Sequence, residues 1–188
     1  MLKRSEIIKK LESALDSERF KHSLRVEKAA VALAQKHGVS VKKASQAALL
    51  HDYARKYDRN SLLKEAKKLM VKIDDISRFE PKLLHADISA ILAQRDFGIS
   101  DKEVLSAIRK HTVGSPRMTK LEKIIYLADH VEEGRDISGL KQLRKLALRN
   151  LNKAIVESTS ESLAFLLKKG APINSGTIQT RNYYLLNK

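Results

Sequence analysis

The sequence has no cysteine, and residues that interrupt helices or stack with bases are scarce: 7 Gly, 3 Pro and 5% aromatic residues. Without cysteine there are no disulfide bonds, thiolate zinc sites or cysteine nucleophile, so any metal site must use His, Asp and Glu. No apolar run reaches the roughly 18 residues that a membrane span requires, which excludes an integral membrane protein. The few aromatic residues give little support to a stacking surface for single-stranded nucleic acid.

The first residues lead into an amphipathic pattern and not into an unbroken apolar stretch, so we expect no secretory signal. We expect a cytoplasmic location, with which the absence of cysteine is compatible.

Positive charge is in clear excess, with 37 Lys and Arg against 22 Asp and Glu in 188 residues, a formal net charge of +15. Hydrophobic residues at 43% and charged residues at 31% are typical of an ordinary soluble protein and exclude wholesale disorder. The excess charge indicates either solvated helix faces or a polyanionic partner, which is a nucleic acid or a phosphate-rich small molecule. The basic residues are spread along the chain, so nucleic acid is not the expected partner.

The apolar residues recur with helical periodicity along nearly the whole chain. Gly38 is expected to end the second helix, and a third is predicted from Ser40 to about Arg55. Pro81 fits the first turn of a fifth helix that ends near Gly98.

Two capping boxes are predicted where a hydroxyl residue precedes a glutamate by three positions. They are Ser100 with Glu103 and Thr119 with Glu122. A last long helix is predicted over 140–170. The sequence therefore predicts one all-α domain over 1–188, a bundle of about eight helices, with an irregular tail at 171–188.

Six residues with metal-ligand chemistry lie on the apolar faces of predicted helices, each in a separate helix apart from one adjacent His-Asp pair. Any one of these histidines is more often a hydrogen-bonded core residue than a ligand. Burying four histidines and two acids together is nevertheless costly unless something compensates them, and a shared cation would do so. The residues are His22, His51, Asp52, His85, His111 and Asp129.

The order of these residues, and the stretches around them, resemble the HD-domain metal-dependent phosphohydrolases, and within them the YqeK-type symmetrical diadenosine tetraphosphate hydrolases. The matching stretches are 19–23, 48–55, 107–112, 122–129, 134–136 and 180–183. The sequence departs from the family pattern at Ala86-Asp87, where a small residue and a proline are common, and at Val113, where threonine is expected.

The resemblance implies a two-metal centre whose ligands are the six residues above, with Asp52 bridging the ions. It favours iron, while a nitrogen and oxygen ligand set is also compatible with manganese, zinc, cobalt or nickel. The implied reaction is the attack of a metal-activated water on diadenosine tetraphosphate, which gives two ADP. A dinucleoside polyphosphate is thus the expected partner, and a homodimer is compatible with the sequence.

Several further side chains are predicted to contact the phosphates, because arginine binds phosphate through two parallel hydrogen bonds and a threonine hydroxyl donates one. Each also has a plain interpretation as a solvated or salt-bridged surface residue. Tyr183 and Tyr184 either line the adenosine side or pack against helices. The predicted phosphate contacts are Arg19, Arg55, Lys56, Thr112, Arg135 and Arg181.

Two other functions remain open from the sequence. One is an HD phosphohydrolase that acts on nucleoside monophosphates or guanosine tetraphosphate alarmones. The other is a basic helical module that binds RNA, with a purely structural His-Asp cluster. His37 and His130 are expected to be structural, and Asp87 to lie on the surface.

Overall fold

The computed structural model describes residues 2–135 and 139–187, and within these ranges all regular structure is helical, which confirms the predicted all-α class. Eleven α-helices and two short 3-10 helices lie in the described ranges. The α-helices are α1 (Arg4–Ala14), α2 (Ser17–His37), α3 (Val41–Leu50), α4 (Arg59–Lys68), α5 (Asp75–Phe79), α6 (His85–Phe97), α7 (Lys102–Lys110), α8 (Lys120–Val131), α9 (Leu140–Arg149), α10 (Leu151–Lys168) and α11 (Ser175–Leu186). The 3-10 helices are Tyr53–Lys56 and Pro81–Leu84.

Helix α2 packs against α3 and α8, and α7 packs against α3, α6 and α8. Their contact faces are apolar and fully buried, as at Val26, Leu50, Ile108 and Ile125. This group of helices anchors the backbone of each predicted ligand, because an apolar face buried between neighbours has only one orientation. None of the described helices is both long enough and apolar enough to cross a membrane.

The helix ends follow the predicted signals in most cases. Gly38 and Gly98 end α2 and α6 with a φ of 66° each, a left-handed conformation that glycine adopts readily. The capping box of Thr119 and Glu122 is confirmed, because each side chain accepts a hydrogen bond from the other's backbone N–H. The box predicted at Ser100 is wrong: Asp101 caps α7 and accepts from two backbone N–H groups.

Two predicted helices are interrupted. The third ends at Leu50 and not near Arg55, since the chain leaves the helix at Asp52 and continues as a 3-10 turn. The long helix predicted over 140–170 breaks at Asn150, whose backbone is extended (φ −151°, ψ 104°). Its side chain accepts a hydrogen bond from the N–H of Lys153 at 3.0 Å and so begins α10.

The prediction of an irregular tail at 171–188 is wrong for most of its described part. Asn174 caps α11 by accepting a hydrogen bond from the N–H of Gly176, and the helix packs along α10. Its buried face consists of Thr177, Thr180 and Tyr184, which are polar residues at helical spacing and give no apolar stripe. Helices α5, α10 and α11 account for the difference between eight predicted helices and eleven.

Candidate functional site

The six predicted ligands converge at one place in the helical bundle. His51 is fully buried and His111 is 1% exposed, while Asp52 is 4% exposed. They are supplied by α2, the ends of α3 and α7, the start of α6, and α8. The ligand atoms form two groups, and within each group all of them lie within 4.8 Å of one another. One group is His22, His51 and Asp129, and the other is His51, Asp52 and His111. We call the six residues the His-Asp cluster.

Three of these histidines stand at helix ends, where backbone carbonyls lack a partner within the helix. His51 and His111 follow the last residues of α3 and α7, and His85 follows a 3-10 helix. Nδ1 of each donates to the carbonyl three residues earlier: at 2.6 Å in His51, at 2.7 Å in His111, and likewise from His85 to Lys82. Because a carbonyl only accepts, Nδ1 carries the proton and Nε2 keeps its lone pair toward the cluster.

Asp52 lies at the centre, and its two oxygens face different pairs of histidines. Oδ1 lies 3.0 Å from Nε2 of His85 and 3.8 Å from Nε2 of His111. Oδ2 lies 3.6 Å from Nε2 of both His22 and His51. A carboxylate with this arrangement can bind two neighbouring cations, one through each oxygen.

Asp129 completes the half of the cluster that His22 and His51 form. Its Oδ1 is 3.2 Å from Nε2 of His22 and 4.0 Å from Nε2 of His51. Asp129 lies in the last turn of α8, whose apolar face fixes its direction.

The donor set fits a metal ion. Nε2 of His51 is buried and has no hydrogen-bond partner in the described part of the chain, although buried polar atoms are nearly always paired. The Nε2 atoms of His85 and His111 lie 2.9 Å apart, so in the neutral rings two lone pairs face each other. Two nitrogen ligands about 2.1 Å from one ion, at a right angle, would lie about 3 Å apart.

The pKa shifts of His51 and of the two aspartates also suit a metal site. Burial lowers the pKa of His51 to about 4, which keeps this ring neutral. Burial alone would raise the pKa of Asp52, but the imidazoles of His51 and His111 that face this carboxylate outweigh burial and hold that pKa well below its usual range. Burial likewise opposes ionisation of Asp129, whose pKa is nevertheless held well below its usual range by the neighbouring His22 and Arg135. Neutral imidazoles and ionised carboxylates are the forms that bind metals.

Three of the predicted phosphate contacts lie directly at the cluster. Arg19 donates to Oδ2 of Asp52 at 2.5 Å, and Arg135 donates to Oδ1 of Asp129 at 2.5 Å. The hydroxyl of Thr112 is 3.2 Å from Nε2 of His111. These groups are positioned to reach an anion bound at the cluster.

The other predicted contacts have partners elsewhere. The Lys56 ammonium lies 3.7 Å from the ring centroid of Tyr53, a cation–π contact. Arg181 donates to the hydroxyl of Ser160 at 2.8 Å and so joins α11 to α10. Tyr184 accepts a hydrogen bond from the N–H of Met118 and is 1% exposed, so it packs between helices. Arg55 is half-buried on the 3-10 helix that follows the His-Asp pair.

Sequence reasoning missed the carboxylate that orients His22. Glu132 is 2% exposed, and its Oε1 accepts from Nδ1 of His22 at 3.3 Å. Its Oε2 accepts from Nε of Arg25 at 2.6 Å and from the N–H of Gly134 at 2.5 Å. Its position three residues after Asp129 was the available signal, since residues three apart share a helix face. Asp136, in the stretch that carries the resemblance, lies outside the described residues.

A cavity of about 500 Å³ adjoins the cluster beside α10. We call it the α10 cavity. Its lining includes the polar residues Thr112, His130 and Arg135 and the apolar residues Phe79, Phe165 and Pro172. His130 is held there by a hydrogen bond from Nδ1 to the Tyr126 carbonyl at 2.8 Å. As predicted, Asp87 is exposed and lies away from this cavity.

The family comparison agrees with this geometry. Residues 19–134 match the family model described as HD domain, a range that includes all six cluster residues. The chain belongs to the HD-domain family. Its sequence is 37% identical over 185 residues to a Bacillus subtilis protein named symmetrical bis(5′-nucleosyl)-tetraphosphatase, with 97% of each chain covered. A Staphylococcus aureus protein of the same name is 35% identical, with 90% of this chain and 88% of that protein covered.

The structural comparison supports the same family. A crystal structure from Clostridium acetobutylicum, described as that of a predicted HD superfamily hydrolase involved in NAD metabolism, has a TM-score of 0.96 and 38% sequence identity, with both chains covered completely. The predicted resemblance to this group of HD hydrolases is therefore confirmed, and the RNA-binding module and the other nucleotide substrates are not favoured.

Proposed function

We propose that this HD hydrolase cleaves diadenosine tetraphosphate symmetrically and releases two ADP. The observation that carries the proposal is the match, over nearly the whole chain, to relatives named symmetrical bis(5′-nucleosyl)-tetraphosphatase. The convergence of four histidines and two aspartates supports it, because these are the ligand types that a metal-dependent hydrolysis needs.

The six cluster residues are the proposed ligands of two metal ions, with iron favoured and manganese, zinc, cobalt or nickel compatible with the donors. Asp52 is the proposed bridging ligand, because its two oxygens face different pairs of histidines. When bound, the ions lower the pKa of a water molecule and polarise the phosphoryl group.

The bond changes are those of an in-line displacement. The water oxygen, having given up a proton, bonds to one of the two central phosphorus atoms. The bond from this phosphorus to the central bridging oxygen breaks, and that oxygen leaves as part of the second ADP.

The protein's own cations are proposed to hold the phosphate chain during this displacement. Arg19 and Arg135 lie at the two cluster carboxylates, so they reach oxygens of a substrate bound there and stabilise the departing charge. Thr112 is proposed to donate its hydroxyl to a phosphate oxygen. Arg55, Lys56 and Arg181 are proposed as weaker contacts at most, because the nearest partners of the last two are Tyr53 and Ser160.

The proposal is tested by elemental analysis of the purified protein and by chromatography of the products from diadenosine tetraphosphate. ADP should be the only nucleotide product; AMP with ATP would contradict symmetrical cleavage. Asp52→Ala should remove both bound metal and turnover while circular dichroism still shows a folded helical protein. Asp87→Ala, an exposed acid on α6, is the matched control and should retain both. Faster hydrolysis of a nucleoside monophosphate or guanosine tetraphosphate would replace the proposed substrate.

A further inference from the structure

Two phenylalanines stand out because they are exposed yet line the same cavity. Phe79 ends α5 and Phe165 lies on α10, and each is 64% exposed. Both border the α10 cavity. Two exposed aromatic side chains that border one cavity offer flat, apolar surfaces against which a flat ligand can pack.

The lining of the cavity combines charged and apolar side chains. Arg135 and Thr112 border it beside the cluster, where Thr112 is 3.2 Å from Nε2 of His111. The lining also includes Glu80, Leu166, Lys169 and Pro172. A ligand that fits this lining carries negative charge where it meets Arg135 and a flat ring where it meets the two phenylalanines, as a nucleotide does.

The rim is held by contacts of its own. The guanidinium of Arg59 donates to the carbonyl of Phe79 at 2.7 Å and to the carboxylate of Glu80 at 3.2 Å, which ties α5 to α4. Phe165 lies within the eighteen-residue helix α10, beside the ammonium of Lys169 at 6.0 Å from the ring centroid. The two aromatic side chains are thus presented on fixed backbone.

We propose that the α10 cavity binds one nucleoside of the substrate, with its base against Phe79 and Phe165. This inference rests on the proposed function, which requires a phosphate chain at the His-Asp cluster. The first phosphates pass Arg135 and Thr112, and the nucleoside then lies in the cavity of about 500 Å³, a volume typical of small-molecule sites. Base–aromatic stacking tolerates any base. We therefore expect both rings to strengthen binding of the base without selecting one base over another.

The test uses the metal-loaded protein with two probes, ADP and inorganic pyrophosphate, in calorimetric titrations. Phe79→Ala and Phe165→Ala should each weaken ADP binding by about tenfold, the loss typical of one stacked base. Pyrophosphate has no base, so its affinity should not change. Phe165→Trp should retain ADP affinity, because the indole ring also stacks.

Leu167→Ala is the matched control, since Leu167 lies two residues further along α10 and is 69% exposed, but does not border the cavity. It should leave both affinities unchanged.

Unchanged ADP affinity in both phenylalanine variants would overturn the inference, as would an equal loss of pyrophosphate affinity. If the protein cleaves diadenosine tetraphosphate but these variants bind ADP normally, only the subsite is wrong. If ADP binding depends on the phenylalanines and no cleavage occurs, only the proposed substrate is wrong.

Discussion

Glu132 lies 110 positions after His22, and its Oε1 accepts a hydrogen bond from Nδ1 of that histidine at 3.3 Å. This bond places the ring proton on Nδ1 and leaves Nε2 of His22 toward the two cluster aspartates. Arg25 donates to the other oxygen of Glu132 and balances its charge. Glu132 is therefore a positioning residue for the cluster, of the kind that orients histidine ligands in metal sites.

We expect Glu132→Gln to weaken metal binding or turnover by about 10- to 100-fold, the usual effect of removing such a partner. Gln keeps the shape but not the negative charge that pairs with Arg25 and His22. Metal content after dialysis, measured by elemental analysis, reports the effect without depending on activity. Glu133→Gln is the control, because Glu133 is exposed and pairs only with Lys28 among the described residues. Equal metal retention in the two variants would remove the positioning role.

Arg135 and Arg181 should respond differently to replacement by methionine. Arg135 donates to both Oδ1 and the backbone carbonyl of Asp129, whereas Arg181 contacts Ser160 on α10. Arg135→Met should lower kcat/KM on the order of 10²-fold, the effect of losing one donor that stabilises transition-state charge. Arg181→Met should change kcat/KM little. Steady-state kinetics with diadenosine tetraphosphate check both, and a larger loss in Arg181→Met would assign the phosphate contact to α11.

The sequence was sufficient to predict the helical class and the inward direction of the cluster histidines, because both depend on periodicity. The convergence of the six residues on one centre was implied by the resemblance to the HD family. A histidine on the apolar face of a buried helix has only one direction to point, so His51 and His111 were placed without knowledge of tertiary structure. Helix ends marked by glycine were equally predictable, since the left-handed backbone at Gly38 strongly favours that residue.

The remaining features depend on tertiary contacts that no local pattern carries. The buried face of α11 is formed by Thr177, Thr180 and Tyr184, so an apolar stripe is missing. The hydroxyl of Thr180 bonds to the backbone carbonyls of Val113 and Gly176. The role of Glu132 was missed because a glutamate after a helix end is usually solvated. Only the approach of α2 to α8 buries it beside His22.

The stability of the fold should depend on pH through Glu122. Burial alone would raise the pKa of Glu122, but hydrogen bonds from Lys110 and Ser106 outweigh burial and lower it. The charged form therefore stabilises the native state fully above the unfolded pKa of about 4.3. This contribution is lost as pH falls through the lower pKa of the folded state.

Glu122→Gln should accordingly lower the free energy of unfolding at pH 7 by about 1.5–3 kcal/mol, the range for hydrogen bonds to a charged group. Urea denaturation at a series of pH values should show this difference shrinking as pH falls below 4. Glu18→Gln, at an exposed position on α2, is the control and should follow the original protein at every pH. A difference that stays constant with pH would assign the effect to packing and not to ionisation.

The turn that carries Thr112 should be sensitive to a single methyl group at Gly114. Its φ is +70°, and a Cβ there would lie 2.7 Å from Cγ2 of Thr180 on α11. Gly38 has a φ of +66°, but a Cβ added there would have no heavy atom of a neighbour within 4 Å. Gly38→Ala therefore introduces the backbone strain without the clash. Left-handed strain costs roughly 1–2 kcal/mol, and we expect Gly114→Ala to destabilise the protein by clearly more than Gly38→Ala.

Combining Gly114→Ala with Thr180→Ala separates the two causes. The second substitution removes Cγ2 and Oγ1 of Thr180, the two atoms nearest to the new methyl group. The double variant should therefore be less destabilised than the sum of the single variants, a coupling that thermal denaturation measures directly. Because Thr180 also donates to the carbonyl of Val113 at 3.1 Å, the same clash should displace Thr112 and lower turnover in Gly114→Ala but not in Gly38→Ala. If the changes in the free energy of unfolding were strictly additive, a clash with Thr180 of α11 would not be the cause of the destabilisation in Gly114→Ala.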